Sequence, residues 1–238
     1  MPEWPLYIDL LFVLTTLAAL FFCWKATRQS LPVLLILSAW LIGQGFIARS
    51  GFYQEYHRLP PRFALLILPP LLTIILLFLL PSGRRWMNGW NRPTLVLLHV
   101  VRVPVEICLY LLFLHHAVPQ LMTFEGGNWD ILSGLSAPFI YWYGYRQQKI
   151  SRGMLIAWHL ICLFLLFNIV IRGILSAPSP FQQFSFEQPN LAIFFAPYAW
   201  LPAFIVPLVL LAHLVCIRAL LLQSNKTKNK QGVGLPVS

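Results

Sequence analysis

Charge is what this sequence has least of. Only 10% of its 238 residues are Asp, Glu, Lys or Arg, against roughly 25% in a soluble domain, so the chain cannot present a wettable surface. The acidic set is smaller still, seven residues against 17 basic ones. Cysteine is also scarce. Cys23, Cys108, Cys162 and Cys216 all fall in apolar runs, which excludes a disulfide framework in the connecting loops. No basic residue precedes Lys25, and the first apolar run ends without a small-residue cleavage site; a cleavable signal peptide is therefore not expected. No HExxH motif occurs, the last apolar run has no Lys to carry a retinal, and no internal repeat marks an inverted-repeat transporter.

What is present is hydrocarbon. The chain is 58% hydrophobic with a mean hydropathy of +0.72. Apolar runs of about 18 residues or more can cross a bilayer as helices. Seven segments are read as spans, at 6–24, 31–48, 63–81, 95–115, 131–145, 154–173 and 195–220. The expected fold is thus all-α, a polytopic bundle of seven transmembrane helices in one domain over 1–223. A disordered basic cytoplasmic tail is expected at 224–238. The fifth segment is the shortest and contains Pro138, but its Tyr141, Trp142, Tyr143 and Tyr145 form the aromatic belt expected at an interface.

The net charge of +10 reports orientation rather than a nucleic-acid partner. Twelve of the 17 basic residues, among them Lys25, Arg84, Arg146 and Arg218, lie in alternate connections, and four (Arg49, Arg58, Arg62, Arg172) in the opposite set. Arg102 lies inside a span. This alternation places the N-terminus outside and the C-terminus in the cytoplasm, with the lipid bilayer as the certain partner.

The stretch HVVRVPVE, residues 99–106, interrupts the fourth apolar run with three ionisable groups. At about 100° per residue, His99, Arg102, Glu106 and Tyr110 share one helix face. Two charges at the bilayer centre cost roughly 5–7 kcal/mol, and the run's Leu, Ile, Val and Phe residues return about 4–8. The span is near neutral alone and needs partners. Arg102 and Glu106, at i and i+4, are expected to pair. Intramembrane charge marks function by default, so the chain is read as binding or transporting a small polar or anionic solute through this face: Arg102 the charge anchor, Glu106 its partner or a proton carrier, Tyr110 a hydrogen-bonding wall.

HLIC (His159 to Cys162) and HLVC (His213 to Cys216) repeat one spacing on the last two spans. Spacing i, i+3 puts both side chains on one face, where they could ligate zinc or copper. Counted from the span ends at about 1.5 Å per residue, His99, His159 and His213 lie at a common depth, so a membrane-embedded metal or haem enzyme is the alternative reading. A structural or accessory subunit is the third. At the outer side, His115, His116, Glu125 and Asp130, and in another loop Glu55 and His57, are weaker candidates for a metal or cationic ligand. The plainer reading makes Gly126-Gly127-Asn128 a turn and Asp130 the N-cap of the fifth helix.

Overall fold

A computed structural model of the chain describes residues 4–56 and 60–232. The described residues form an all-α structure. Its helices are α1 (Leu6–Ala26), α2 (Leu31–Arg49), α3 (Ala64–Leu79), α4 (Pro81–Asn88), α5 (Arg92–Leu98), α6 (Arg102–Leu114), α7 (Ile131–Phe139), α8 (Arg152–Leu175) and α9 (Val206–Gly232). A 3-10 turn, His99–Val101, joins α5 to α6, and π-helical segments follow α7 (Ile140–Arg146) and precede α9 (Leu201–Ile205). His57 and residues 233–238, the end of the expected tail, lie outside the described residues.

Among the described residues, five helical segments are long and apolar enough to cross a membrane: Leu6–Ala26, Leu31–Arg49, Arg92–Leu114, Arg152–Leu175 and Leu201–Gln223. A sixth arises if α3 and α4, bent by 89° at Leu80, count as one span. The remaining expected span, 131–145, falls on a 9-residue α-helix, Ile131–Phe139, and a 7-residue π-helix, Ile140–Arg146, together short of the ~20 residues that a 30 Å hydrocarbon core asks of a helix.

Helix starts follow the sequence. Asn91 accepts from the Thr94 amide at α5, with Pro93 in the first turn, and Ser151 accepts from the Met154 amide at α8. Exposed apolar side chains cover the outside, including Leu14, Leu17 and Phe21 on α1 and Ile36, Ile42 and Phe46 on α2. The opposite face of α1 is buried through Ile8, Phe12, Ala19 and Cys23. Thr15 and Thr16 are buried beside them because each hydroxyl donates to the carbonyl four residues back, Leu11 and Phe12.

Proline explains how α2 is held. Pro207 has no N–H for the carbonyl of Ala203, and the Trp40 indole donates to that oxygen at 3.0 Å. Trp200 returns the bond, donating to the Leu41 carbonyl at 2.8 Å. Its ring lies over Gly45, where a Cβ would sit 3.4 Å from it.

The connection between α6 and α7 does not stay at the surface. Residues Gln120–Met122 and Phe124–Gly126 form two 3-10 turns, and Val118, Met122, Thr123, Asn128 and Asp130 are buried. Arg172 near the end of α8 holds this segment, donating to the Gly126 carbonyl at 2.6 Å and to the Leu121 carbonyl at 3.3 Å. The short α7 therefore opens inside the bundle, level with Arg102, and the segment before it is packed within the bundle as well.

Candidate functional site

Two helical breaks meet at the centre. His99 lies in the 3-10 turn between α5 and α6, Arg102 opens α6, and Asp130 precedes α7. Gly134, one turn into α7, allows the approach: a Cβ there would sit 2.8 Å from Val103 Cγ2 and 3.2 Å from the His99 carbonyl.

Arg102 is 2% exposed and Asp130 6%. The guanidinium binds both carboxylate oxygens, Nε to Oδ2 at 2.6 Å and Nη2 to Oδ1, the bidentate geometry that fixes both groups. Its remaining N–H groups donate to His213 Nε2 at 3.2 Å and to the Cys162 carbonyl at 3.3 Å. The expected Arg102–Glu106 pair is therefore corrected. Glu106 instead accepts from the Asn128 amide, at 2.7 Å to each oxygen. That amide also donates to the Met122 carbonyl, while Asn128 Oδ1 accepts from the Asp130 backbone N–H.

The same geometry corrects Asp130 as an N-cap. It stands at that position, but its side chain makes no capping bond, because it is committed to Arg102. Nor is it an outer-face group. His115, His116 and Glu125 are exposed, and His116 reaches Gln188 Oε1 at 3.1 Å, so the four expected outer residues do not form one site. Tyr110 stacks on Phe124 with ring centroids 4.8 Å apart and is not among the residues that line the cavity described below.

His99, His159 and His213 come together, each fully buried. His213 stacks on His99 with centroids 3.8 Å apart and planes 16° from parallel. Its centroid is 5.2 Å from that of His159, at 83°. The hydrogens can be assigned by elimination. Arg102 only donates, so a neutral His213 accepts at Nε2 and carries its hydrogen on Nδ1. It then donates to His159 Nδ1, 2.8 Å away. His159 is thereby the Nε2–H tautomer and donates to the Tyr145 hydroxyl at 3.0 Å. Neither ring nitrogen of His99 has a partner. Among the described residues, these three imidazoles are the His, Cys, Asp and Glu group whose ligand atoms lie close enough to share an ion, within 4.8 Å of one another. Cys162 and Cys216, on the same helices, are not part of that group.

Beside the cluster runs a cavity of about 180 Å³ between α3, α6, α8 and α9. Leu71, Val105, Leu109, Leu166, Val170 and Leu210 represent its walls, and Arg102, Glu106, Asp130 and Asn190 are its polar groups. Sequence reasoning missed Asn128 and the role of Asp130. The shortness of the fifth segment was the available signal, since a helix too short to cross the core must start within it.

No curated protein and no solved structure matches the chain. Residues 60–221 match a family described as a domain of unknown function (DUF8737), a range that leaves out α1 and α2 but contains the whole buried cluster. The chain belongs to the DUF8737 family.

Proposed function

We propose that the protein spans the membrane seven times, with its N-terminus outside and its C-terminus in the cytoplasm, and binds an amphiphilic molecule at the centre of the bundle. The orientation rests on the alternation of basic residues, with α3 as a short span and the infolded segment before α7 completing, with Ile131–Arg146, the fifth crossing.

The observation that carries the binding role is the cavity. It is walled mainly by hydrocarbon, and Arg102, Asp130, Glu106 and Asn190 are the polar groups that line it. An apolar cavity of about 150 Å³ stays dry and takes up a benzene-sized molecule, so a space of about 180 Å³ suits an alkyl or ring body better than a small hydrated ion. Its polar end is a hydrogen-bond donor, neutral or cationic. Asp130 already neutralises Arg102, which leaves no surplus positive charge for an anion, whereas the Glu106 carboxylate has only the Asn128 amide.

The test uses protein in nanodiscs and photoreactive C8 probes with amine, alcohol or sulfate heads. The amine and alcohol should label cavity residues, the sulfate should not, and Val170→Trp should abolish labelling by filling the space. Equal labelling of the Val170→Trp protein, or stabilisation by small soluble anions alone, would defeat this reading.

A further inference from the structure

We infer that His99, His159 and His213 form a three-imidazole site for a transition-metal ion of borderline character, zinc or copper. The ligand set is neutral nitrogen from three separate segments, the donor type that suits both ions. The amphiphile site does not depend on it.

The spacing is close to that of a closed site. Bonds of about 2.0–2.1 Å to a tetrahedral ion put neighbouring imidazole centroids about 5 Å apart. His159 and His213 are already at 5.2 Å. The other two separations, 3.8 Å from His99 to His213 and 6.4 Å from His99 to His159, err in opposite directions. A single movement of the His99 ring, out of its stack on His213 and towards His159, corrects both. His99 is the ring that can make it, since neither of its nitrogens holds a hydrogen bond. The same fact is independent evidence for a ligand. A buried imidazole with an orphaned donor and acceptor is costly to leave unpaired, and an ion at the triad engages it.

Tautomers fit as well. His159 presents a bare Nδ1 and donates its Nε2–H to Tyr145, the outer hydrogen bond that orients a metal-bound imidazole. His213 must shift its hydrogen from Nδ1 to Nε2 to ligate. The shifted hydrogen faces Arg102, so the 3.2 Å contact between them opens while both bonds from Arg102 to Asp130 remain. The three rings pack against one another and against Trp158, which leaves no slot for a haem between them.

The experiment is elemental analysis of the full chain, purified in detergent through a tag without histidine. Close to one zinc or copper per chain is expected, falling at least tenfold in His99→Ala, His159→Ala and His213→Ala. Tyr145→Phe should weaken the apparent affinity by roughly tenfold or more. Stripped wild-type protein given cobalt(II) should develop the visible absorption of a tetrahedral nitrogen site, a readout that does not depend on any variant folding. Wild-type protein that carries no zinc or copper and gives no such absorption overturns the inference, as does full loading of a folded His99→Ala protein.

Discussion

Asp130 holds Arg102 through both carboxylate oxygens, although 28 residues separate them, while Glu106, one turn from Arg102, bonds to Asn128 instead. The two carboxylates of the bundle centre thus have different duties, and substitution should tell them apart.

Removing one member of a buried pair strands the other and costs about 3–5 kcal/mol. Asp130→Asn leaves a permanent cation, because arginine cannot shed its proton. It should therefore lower the detergent melting temperature more than Glu106→Gln does. The double variant Arg102→Gln/Asp130→Asn should recover much of the loss, and Arg102→Gln/Glu106→Gln should not. Thermal melts of these variants against wild type are the measurement, and equal recovery in both double variants would contradict the pairing described.

Asn128 carries three connections at once: to Glu106, to the Met122 carbonyl and to the Asp130 amide. Asn128→Ala should cost about 1–3 kcal/mol for the groups it leaves unsatisfied. Asn128→Asp should be worse, since it sets a second carboxylate against Glu106. Chemical denaturation in detergent would rank them, and a neutral Asn128→Ala would remove Asn128 from the account.

Glycine gives a paired comparison. A Cβ on Gly134 meets the Val103 side chain and amide and the His99 carbonyl, all within 3.2 Å, whereas one on Gly43 meets nothing within 4 Å. Gly43→Ala should be neutral or stabilise by up to about 1 kcal/mol. Gly134→Ala should destabilise and weaken ligand binding as well, because it pushes α7 and Asp130 away from Arg102. Melting temperatures and probe labelling check both.

The orientation can be read with single new cysteines, since the four native ones are buried. Glu187 and Lys149 are exposed, on opposite sides of α8 in sequence. Glu187→Cys should react with an impermeant maleimide on intact cells, and Lys149→Cys only after lysis. The reverse pattern would invert the proposed topology.

Much of this was legible in the residues. Apolar runs located the long helices because lipid imposes one length scale on all of them, and common depth brought His99, His159 and His213 together before any helix adjacency was known. The partner of Arg102 was not legible. Helical spacing speaks only for neighbours on one helix, and Asp130, just before a helix, satisfies the N-cap pattern equally well. Asn128 was hidden for a related reason: Gly126-Gly127-Asn128 reads as a turn, with Gly127 at φ +90°, and no local signal says that a turn will fold inward. Tyr110 shared the polar face of α6, but Phe124, on the infolded segment, covers it.

The distance along the chain from Arg102 to Asp130 also has a consequence for biosynthesis. At 5–20 residues per second, 28 residues take roughly 1–6 s to emerge. Through that interval the guanidinium is threaded towards the membrane while its final counter-ion has not yet been made. Glu106 follows Arg102 by only four residues, and on a nascent helix it is the nearest carboxylate. The pairing that the finished fold lacks is thus the one within reach of a growing chain in which Asp130 has not yet been made.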